Sequence, residues 1–201
     1  MRILRAFIAV EIPSEIHQAI ETKAASLRAA LNKSLVRWVP TGNIHLTLKF
    51  LGDVSPANIE MLAQMLNVEV SQHQIFEMEF GGLGAFPNPR RPRVIWIGIQ
   101  APPGLEALQH GIEAATATLG YPPEKRPFSP HLTIGRVKQK INSAGMQKIR
   151  TALEETQIGS LGTARVTSVH LFKSDLKPAG AVYTRLFSAS LKNDLGPERR
   201  A

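Results

Sequence analysis

Apolar and polar positions divide the chain into short strand-like runs and longer helix-like ones. Residues 5–12, RAFIAVEI, read as a strand closed by Pro13. From Ser14, apolar residues recur at Ile16, Ile20, Ala24 and Leu27, the spacing of one helix face, and the pattern continues to residue 31 with Ser14 as its cap. A second strand is predicted over 44–52, ended by Gly52-Asp53. A second helix follows over 57–68, with Ser55 as cap and Pro56 in its first turn. Residues 75–86 make the next strand, whose glycines suggest bulging or a loop near its end.

The order then repeats: strand 93–100, helix 104–120, strand 131–137, helix 143–155, strand 163–174 and a hairpin partner over 181–191. Arg5 matches Arg93 at an offset of 88, His45 matches His131 at 86, and Ile75 matches Thr163 at 88. A nearly constant offset across three unlike elements predicts a duplicated α/β unit folded about a pseudo-two-fold axis, with corresponding strands side by side. The segment between the halves, GAFPNPRRPR at 84–93, reads as an exposed basic loop and a rim for an anionic ligand.

At 201 residues, 43% hydrophobic and 20% charged, the chain has the balance of a globular protein with a sizeable core. A formal charge of +8 makes the surface attractive to polyanions. The absence of cysteine excludes disulfides, thiolate nucleophiles and Cys-ligated metals. Arg5 and Glu11 interrupt the N-terminal apolar run, which is too short for a signal segment or membrane span, so a cytoplasmic protein is expected.

Two stretches stand apart from packing: HLTLKF at 45–50 and HLTIGR at 131–136. On a strand, His45 and Thr47 share one face while Leu46 and Leu48 take the other. His131 and Thr133 are opposed to Leu132 and Ile134 in the same way. Chance supplies about 0.3 His-x-Thr triplets in a chain of this composition, so one would be uninformative; two at equivalent places in a duplication are not. Two imidazoles and two hydroxyls lining one cleft suit phosphoester cleavage. A neutral histidine accepts a proton from water while a protonated one donates to the leaving oxygen, and the hydroxyls bind the oxygens on phosphorus. Neither motif supplies a third ligand for a metal, so none is expected.

These motifs, with RAFIAVEIP, WVPTGNIHLTLKFLGDV, FGGLGAFPNPRRPRVIWIGI and RPFSPHLTIGR, resemble the two-histidine phosphoesterase superfamily. Within it they resemble the bacterial and archaeal RNA 2′,3′-cyclic phosphodiesterases, also called 2′-5′ RNA ligases, from about residue 3 to about 190. The resemblance implies an α+β fold: one bilobal domain over 1–201, duplicated at about 3–87 and 91–192, each lobe an antiparallel-rich sheet with outer helices around a central cleft. It implies hydrolysis of RNA 2′,3′-cyclic phosphate ends to 2′-phosphomonoesters, with no metal or other cofactor. In some members it also implies weak, reversible 2′-5′ joining of tRNA halves. By position, His45 is the proton donor and His131 the proton acceptor, with Thr47 and Thr133 on the phosphate.

Arg136 takes the place of the arginine closing the second motif, where its guanidinium would bind phosphate, provided that Gly135 bends the strand. Phe50 stands at the matching place in the first motif, which suggests a nucleoside side and a phosphate side. Phe128 is a candidate nucleobase contact, with core packing as its alternative. Lys49, Arg90, Arg91, Arg93, Lys125, Arg126, Lys138 and Lys140 are candidate contacts to the RNA backbone, each with plain surface charge as its alternative. His17, His73, His110 and His170 lack a partner pattern, and Tyr183 has no assigned role. Other readings are a phosphodiesterase for small cyclic nucleotides or ADP-ribose 1″,2″-cyclic phosphate, and a non-catalytic RNA-binding module. The partner expected is RNA with cyclic phosphate ends, tRNA fragments among them. A monomer is expected, with neither a membrane nor a protein partner.

Overall fold

A computed structural model describes residues 3–177 and 180–193. Its strands are β1 (Leu4–Glu11), β2 (Val36–Trp38), β3 (His45–Val54), β4 (Phe76–Phe86), β5 (Val94–Gln100), β6 (His131–Val137), β7 (Ser160–Val166), β8 (Ser168–Lys177) and β9 (Gly180–Ser190). Its α-helices are α1 (Ser14–Lys23), α2 (Ala25–Ala30), α3 (Ile59–Val70), α4 (Pro103–Thr118) and α5 (Ser143–Glu155). The sheet order is β7-β4-β5-β6-β3-β1-β8-β9, with β2 added on β6, and each of these strand pairings is antiparallel.

The centre of that order lies between the two His-x-Thr strands, and the lobes on either side interleave in sequence. One lobe contains β3, β1, β8 and β9, the other β6, β5, β4 and β7, so β4 crosses to pair with strands from the second half. Of the matched sequence pairs, His45 with His131 and Ile75 with Thr163 do fall on or beside neighbouring strands, β3–β6 and β4–β7. Arg5 and Arg93 belong to different lobes. The α+β, two-lobed antiparallel fold expected from the sequence is present.

One core runs through both lobes, from Ile8, Leu46 and Leu48 to Ile95, Ile97, Leu132 and Ile134. It is covered by Ile20 and Leu27, Leu62 and Leu66, Leu105 and Ile112, and Ile149 of the helices. Fully burying one such side chain contributes about 1.5–3 kcal/mol, which is why leucine and isoleucine hold the inward positions of the motifs. Phe7, Ala9 and Phe172 form a separate small cluster on the other face of the sheet, with Tyr183 packed on it.

Three local expectations are corrected. The helix predicted over 14–31 divides at Ala24, and Pro13 rather than Ser14 holds the capping position, without a side-chain bond. The strand predicted over 163–174 is two strands broken at Thr167, because β7 pairs with β4 in one lobe and β8 with β1 in the other. The helix predicted over 57–68 with Ser55 as its cap opens instead as a 3-10 turn over Pro56–Asn58, so α3 starts at Ile59 with Asn58 at its capping position. β2 has no sequence prediction: three residues are too few to show a period. No helix among the described residues is long and apolar enough to cross a membrane.

Candidate active site

The two central strands carry the same burial pattern, with one interruption at the same place. In β3, Leu46 and Leu48 are buried, but so is Lys49, and Phe50 is exposed; in β6, Leu132 and Ile134 are buried, then Gly135, and Arg136 is exposed. The cause is a bulge in each pairing. Thr47 faces Ala9 while Lys49 faces Ile8, leaving Leu48 extra; Thr133 faces Trp96 while Gly135 faces Ile95, leaving Ile134 extra. An added residue reverses the alternation downstream, so Phe50 joins the face of His45 and Thr47, and Arg136 joins that of His131 and Thr133. The bend required for Arg136 to reach the cleft is this bulge.

The residues after each bulge differ because their surroundings differ. A Cβ on Gly135 would lie 2.9 Å from both Trp38 and Val36 of β2, so the position has no room for a side chain. On β3 the corresponding side chain enters the protein, where Lys49 Nζ donates to Glu113 Oε2 at 2.6 Å and to the Pro122 carbonyl at 2.5 Å. Lys49 is 4% exposed and does not present its charge to solvent, which corrects its reading as a backbone-phosphate contact.

Leu46 pairs with Leu132, and extending that antiparallel register by one residue sets His45 across from Thr133 and Thr47 across from His131. Each imidazole is held alike. His45 Nδ1 lies 2.9 Å from the Asn43 carbonyl, and His131 Nδ1 lies 2.7 Å from the Ser129 carbonyl. A carbonyl only accepts, so Nδ1 carries the proton in both rings, and Nε2 of the neutral form is left as a base. Aromatic rings fix the planes: Phe7 stacks on His45 at 4.8 Å with Tyr183 edge-on at 5.2 Å, and Phe86 meets His131 edge-on at 4.9 Å. Trp96, 6.4 Å from His131, lies so close over Gly84 that a Cβ there would approach its indole to 2.2 Å.

The charges around this symmetric frame are unequal. Burial pushes the His45 pKa down to about 4; the Asn43 carbonyl and Glu11 oppose the shift, and the Arg136 charge adds to it. Burial also lowers His131, against the Ser129 carbonyl and with help from Arg136. One guanidinium therefore acts on both imidazoles, and the free cleft holds two neutral rings at neutral pH. Glu11 is the cross-strand partner of His45, whereas Gly98 faces His131, so a carboxylate stands on one side only. Glu11 accepts a hydrogen bond from Arg185 and lies 3.7 Å from Nε2 of His170, itself 5% exposed and 2.9 Å from the Ser188 hydroxyl. Burial works to raise the Glu11 carboxyl, but Arg185 and His170 hold it below the usual carboxylate range.

The sequence pattern of the LigT-like phosphoesterases matches the chain twice, over residues 10–96 and 97–183, one match containing each His-x-Thr motif. The chain belongs to this family. It is 34% identical over 181 residues to a Methanothermobacter thermautotrophicus protein named RNA 2′,3′-cyclic phosphodiesterase, covering 90% of this chain and 95% of that one. A protein of the same name from Archaeoglobus fulgidus is 34% identical over 183 residues, covering 91% and 98%. Among solved structures, a Thermus thermophilus protein superposes with a TM-score of 0.79 at 27% identity, over 95% of this chain and all (100%) of that one. Escherichia coli LigT complexed with 3′-AMP gives 0.73 at 27% identity, over 94% and 99%.

The remaining candidates of this LigT-like chain divide by burial and partners. Phe128 is half-buried against the core, the packing alternative to a base contact. Arg126 is exposed and lies 3.4 Å from Glu124, while Lys125, Lys138, Lys140, Arg90, Arg91 and Arg93 are exposed. The sequence reading passed over Glu11 and His170 and left Tyr183 without a role. Strand parity could have found them, since Glu11 follows Phe7 and Ala9 at steps of two, and His170 precedes Phe172.

Proposed function

We propose that this protein hydrolyses RNA 2′,3′-cyclic phosphate ends to 2′-phosphomonoesters by a two-histidine acid–base reaction that needs no metal. The observation that carries the reading is the pair of imidazoles on adjoining strands, each with Nδ1 tied to a carbonyl two residues upstream and Nε2 left for chemistry. Relatives named for this activity over nine-tenths of the chain support it.

In this reading His131 Nε2 takes a proton from water as the water oxygen bonds to phosphorus. The bond from phosphorus to the 3′ oxygen breaks, and that oxygen takes the proton from Nε2 of protonated His45. Burial disfavours protonated His45, and Glu11, across from His45 alone, offsets part of that on the side that must donate. Thr47 and Thr133 donate to the non-bridging oxygens, and Arg136 forks onto the same phosphate. The exposed Phe50 ring, 6.3 Å from Phe7, offers the nucleoside side a flat apolar surface. A 5′-hydroxyl in place of water would give a 2′-5′ linkage by the same bond changes.

The test is an RNA ending in a 2′,3′-cyclic phosphate, incubated with the protein and EDTA, with the product resolved from the 3′-phosphate isomer. A 2′-phosphate formed at an undiminished rate is expected. No turnover, or turnover abolished by chelation, would overturn the reading.

A further inference from the structure

On the reading that the cleft acts on RNA ends, we propose that the lobe built on β6 carries a docking track for the single-stranded RNA leading to the cyclic phosphate, while the β3 lobe contributes none. The carboxylates are absent from one region of the molecule. Residues 33–52, 80–105 and 125–153 contain no Asp or Glu; apart from most of β3, which carries a single cation, the buried Lys49, they supply β2, the end of β4, the loop before β5, β5, β6 and most of α5.

These segments are joined in space. Arg37 of β2 is the cross-strand partner of Arg136, so two guanidinium groups project from the same face of neighbouring strands about 4.8 Å apart. Like charges directly opposed across strands are destabilising, and a bound phosphate reverses the sign of that interaction. Further along, the Val137 amide donates to the Arg93 carbonyl, which places the 87–93 loop beside β6. Arg150 Nε donates to the Arg90 carbonyl at 2.7 Å and ties that loop to α5, where Lys148 is exposed. The track thus begins at the candidate phosphate site and continues outward over exposed cations. None of them is in an ion pair among the described residues.

The β3 lobe is the internal control. Near its part of the cleft the cations are matched, Lys49 with Glu113, Arg185 with Glu11 and Lys173 with Asp175, while Arg5 stands across from Asp53; the exposed Lys177, outside any ion pair among the described residues, lies at the far end of β8. Where β6 exposes Arg136 and then Lys138, β3 has Phe50 and Gly52. Nothing in the duplicated frame demands this difference, since both lobes bury their cores in the same way. Its chemical meaning is a polyanion on one side and a single nucleoside on the other. Single-stranded RNA fits because its backbone carries a charge per nucleotide and bends freely across such a surface.

The experiment compares two double variants of equal charge change, Arg91→Gln with Lys148→Gln on the track and Arg5→Gln with Lys173→Gln on the other lobe. Two readouts are taken: kcat/KM for a cyclic mononucleotide and for an RNA oligomer with the same cyclic end, and affinity for the oligomer carrying an unreactive 3′-phosphate as salt is varied. The track variant is expected to lose about 10-fold in oligomer kcat/KM and to flatten the log-log salt slope by about 1.4, at about 0.7 per phosphate contact. Mononucleotide turnover should stay within about twofold, and the other variant should change neither readout. Equal losses in both variants, or a wild-type protein that does not prefer the oligomer, would overturn the track while leaving the phosphodiesterase reading in place. A wild-type protein that cleaves neither substrate, yet binds the oligomer with the steep slope lost only in the track variant, would overturn that reading and support the track.

Discussion

Leu46 and Leu132 face each other as the cross-strand pair that joins β3 to β6. Both are buried, at 1% and 0% exposure, so the contact that aligns the two histidines belongs to the core rather than to the cleft. The lobes are held in register by an apolar pair directly beneath the polar face on which the chemistry stands.

If the histidines form the acid–base pair, replacing either should cost the chemical step and little else. His45→Ala and His131→Ala are expected to lower cleavage by about 10²–10⁴-fold each. Oligomer affinity should remain within a few-fold, because the cations of the other readout are elsewhere. Single-turnover rates beside equilibrium binding check this; normal cleavage in both variants would rule out the mechanism.

Burial of His45 also makes stability depend on pH. Its folded pKa, about 4, lies below the ordinary value of 6.5, so between these limits the unfolded chain binds the proton more readily. Stability should therefore be fully present above about pH 6.5 and fall as the solution is acidified. The loss from this group approaches about 3 kcal/mol near pH 4, at about 1.4 kcal/mol per unit. Urea midpoints taken from pH 7 to pH 4.5 should drop more steeply for the wild type than for His45→Gln.

A cleft with two neutral rings must gain a proton when an anion enters. Binding of a 2′-phosphomonoester at pH 7 should take up protons, because the phosphate charge favours imidazolium against the desolvation that disfavours it. Calorimetry in two buffers of different ionisation enthalpy measures the uptake; identical apparent enthalpies would argue against it.

Glu11 favours the protonated form of one histidine only. Glu11→Gln should move the alkaline limb of the pH–rate profile to lower pH and reduce kcat at pH 7.5 several-fold, leaving the acid limb in place. An unshifted profile would mean that the carboxylate serves Arg185 alone.

The Lys49–Glu113 pair makes a prediction about stability rather than catalysis. Lys49→Met leaves a partly buried carboxylate without its cation and should cost up to about 3 kcal/mol, whereas Lys49→Met with Glu113→Leu should recover most of it. Denaturant titration of the three proteins checks the ordering.

The chemistry was more legible in the sequence than its surroundings. His45, Thr47, His131 and Thr133 could be assigned to one face from alternation alone, and the duplication supplied the argument that they meet. Phe50 and Arg136 could not be placed by alternation, since a single inserted residue reverses it and leaves no local signature beyond Gly135. Lys49 misled for the same reason: its surroundings in sequence give no sign that the interior holds Glu113 for it. The interleaving of the lobes was hidden because β4 looks the same in sequence whichever neighbour it pairs with.

The bulges of β3 and β6 have a consequence for how such sites change. In a pleated strand each position has one of two orientations, and one extra residue exchanges them for everything that follows. Removing Leu48 or Ile134 would therefore act less like losing a side chain than like shifting a reading frame. The histidine and threonine would stay put, while the aromatic of one lobe and the guanidinium of the other turned inward together with the residues after them, in β3 as far as the second register shift at Leu51. Point substitution can vary the two ends of the motif independently, but a change in length cannot, so the spacing His, Thr, Arg at steps of two and three is protected by geometry as much as by chemistry.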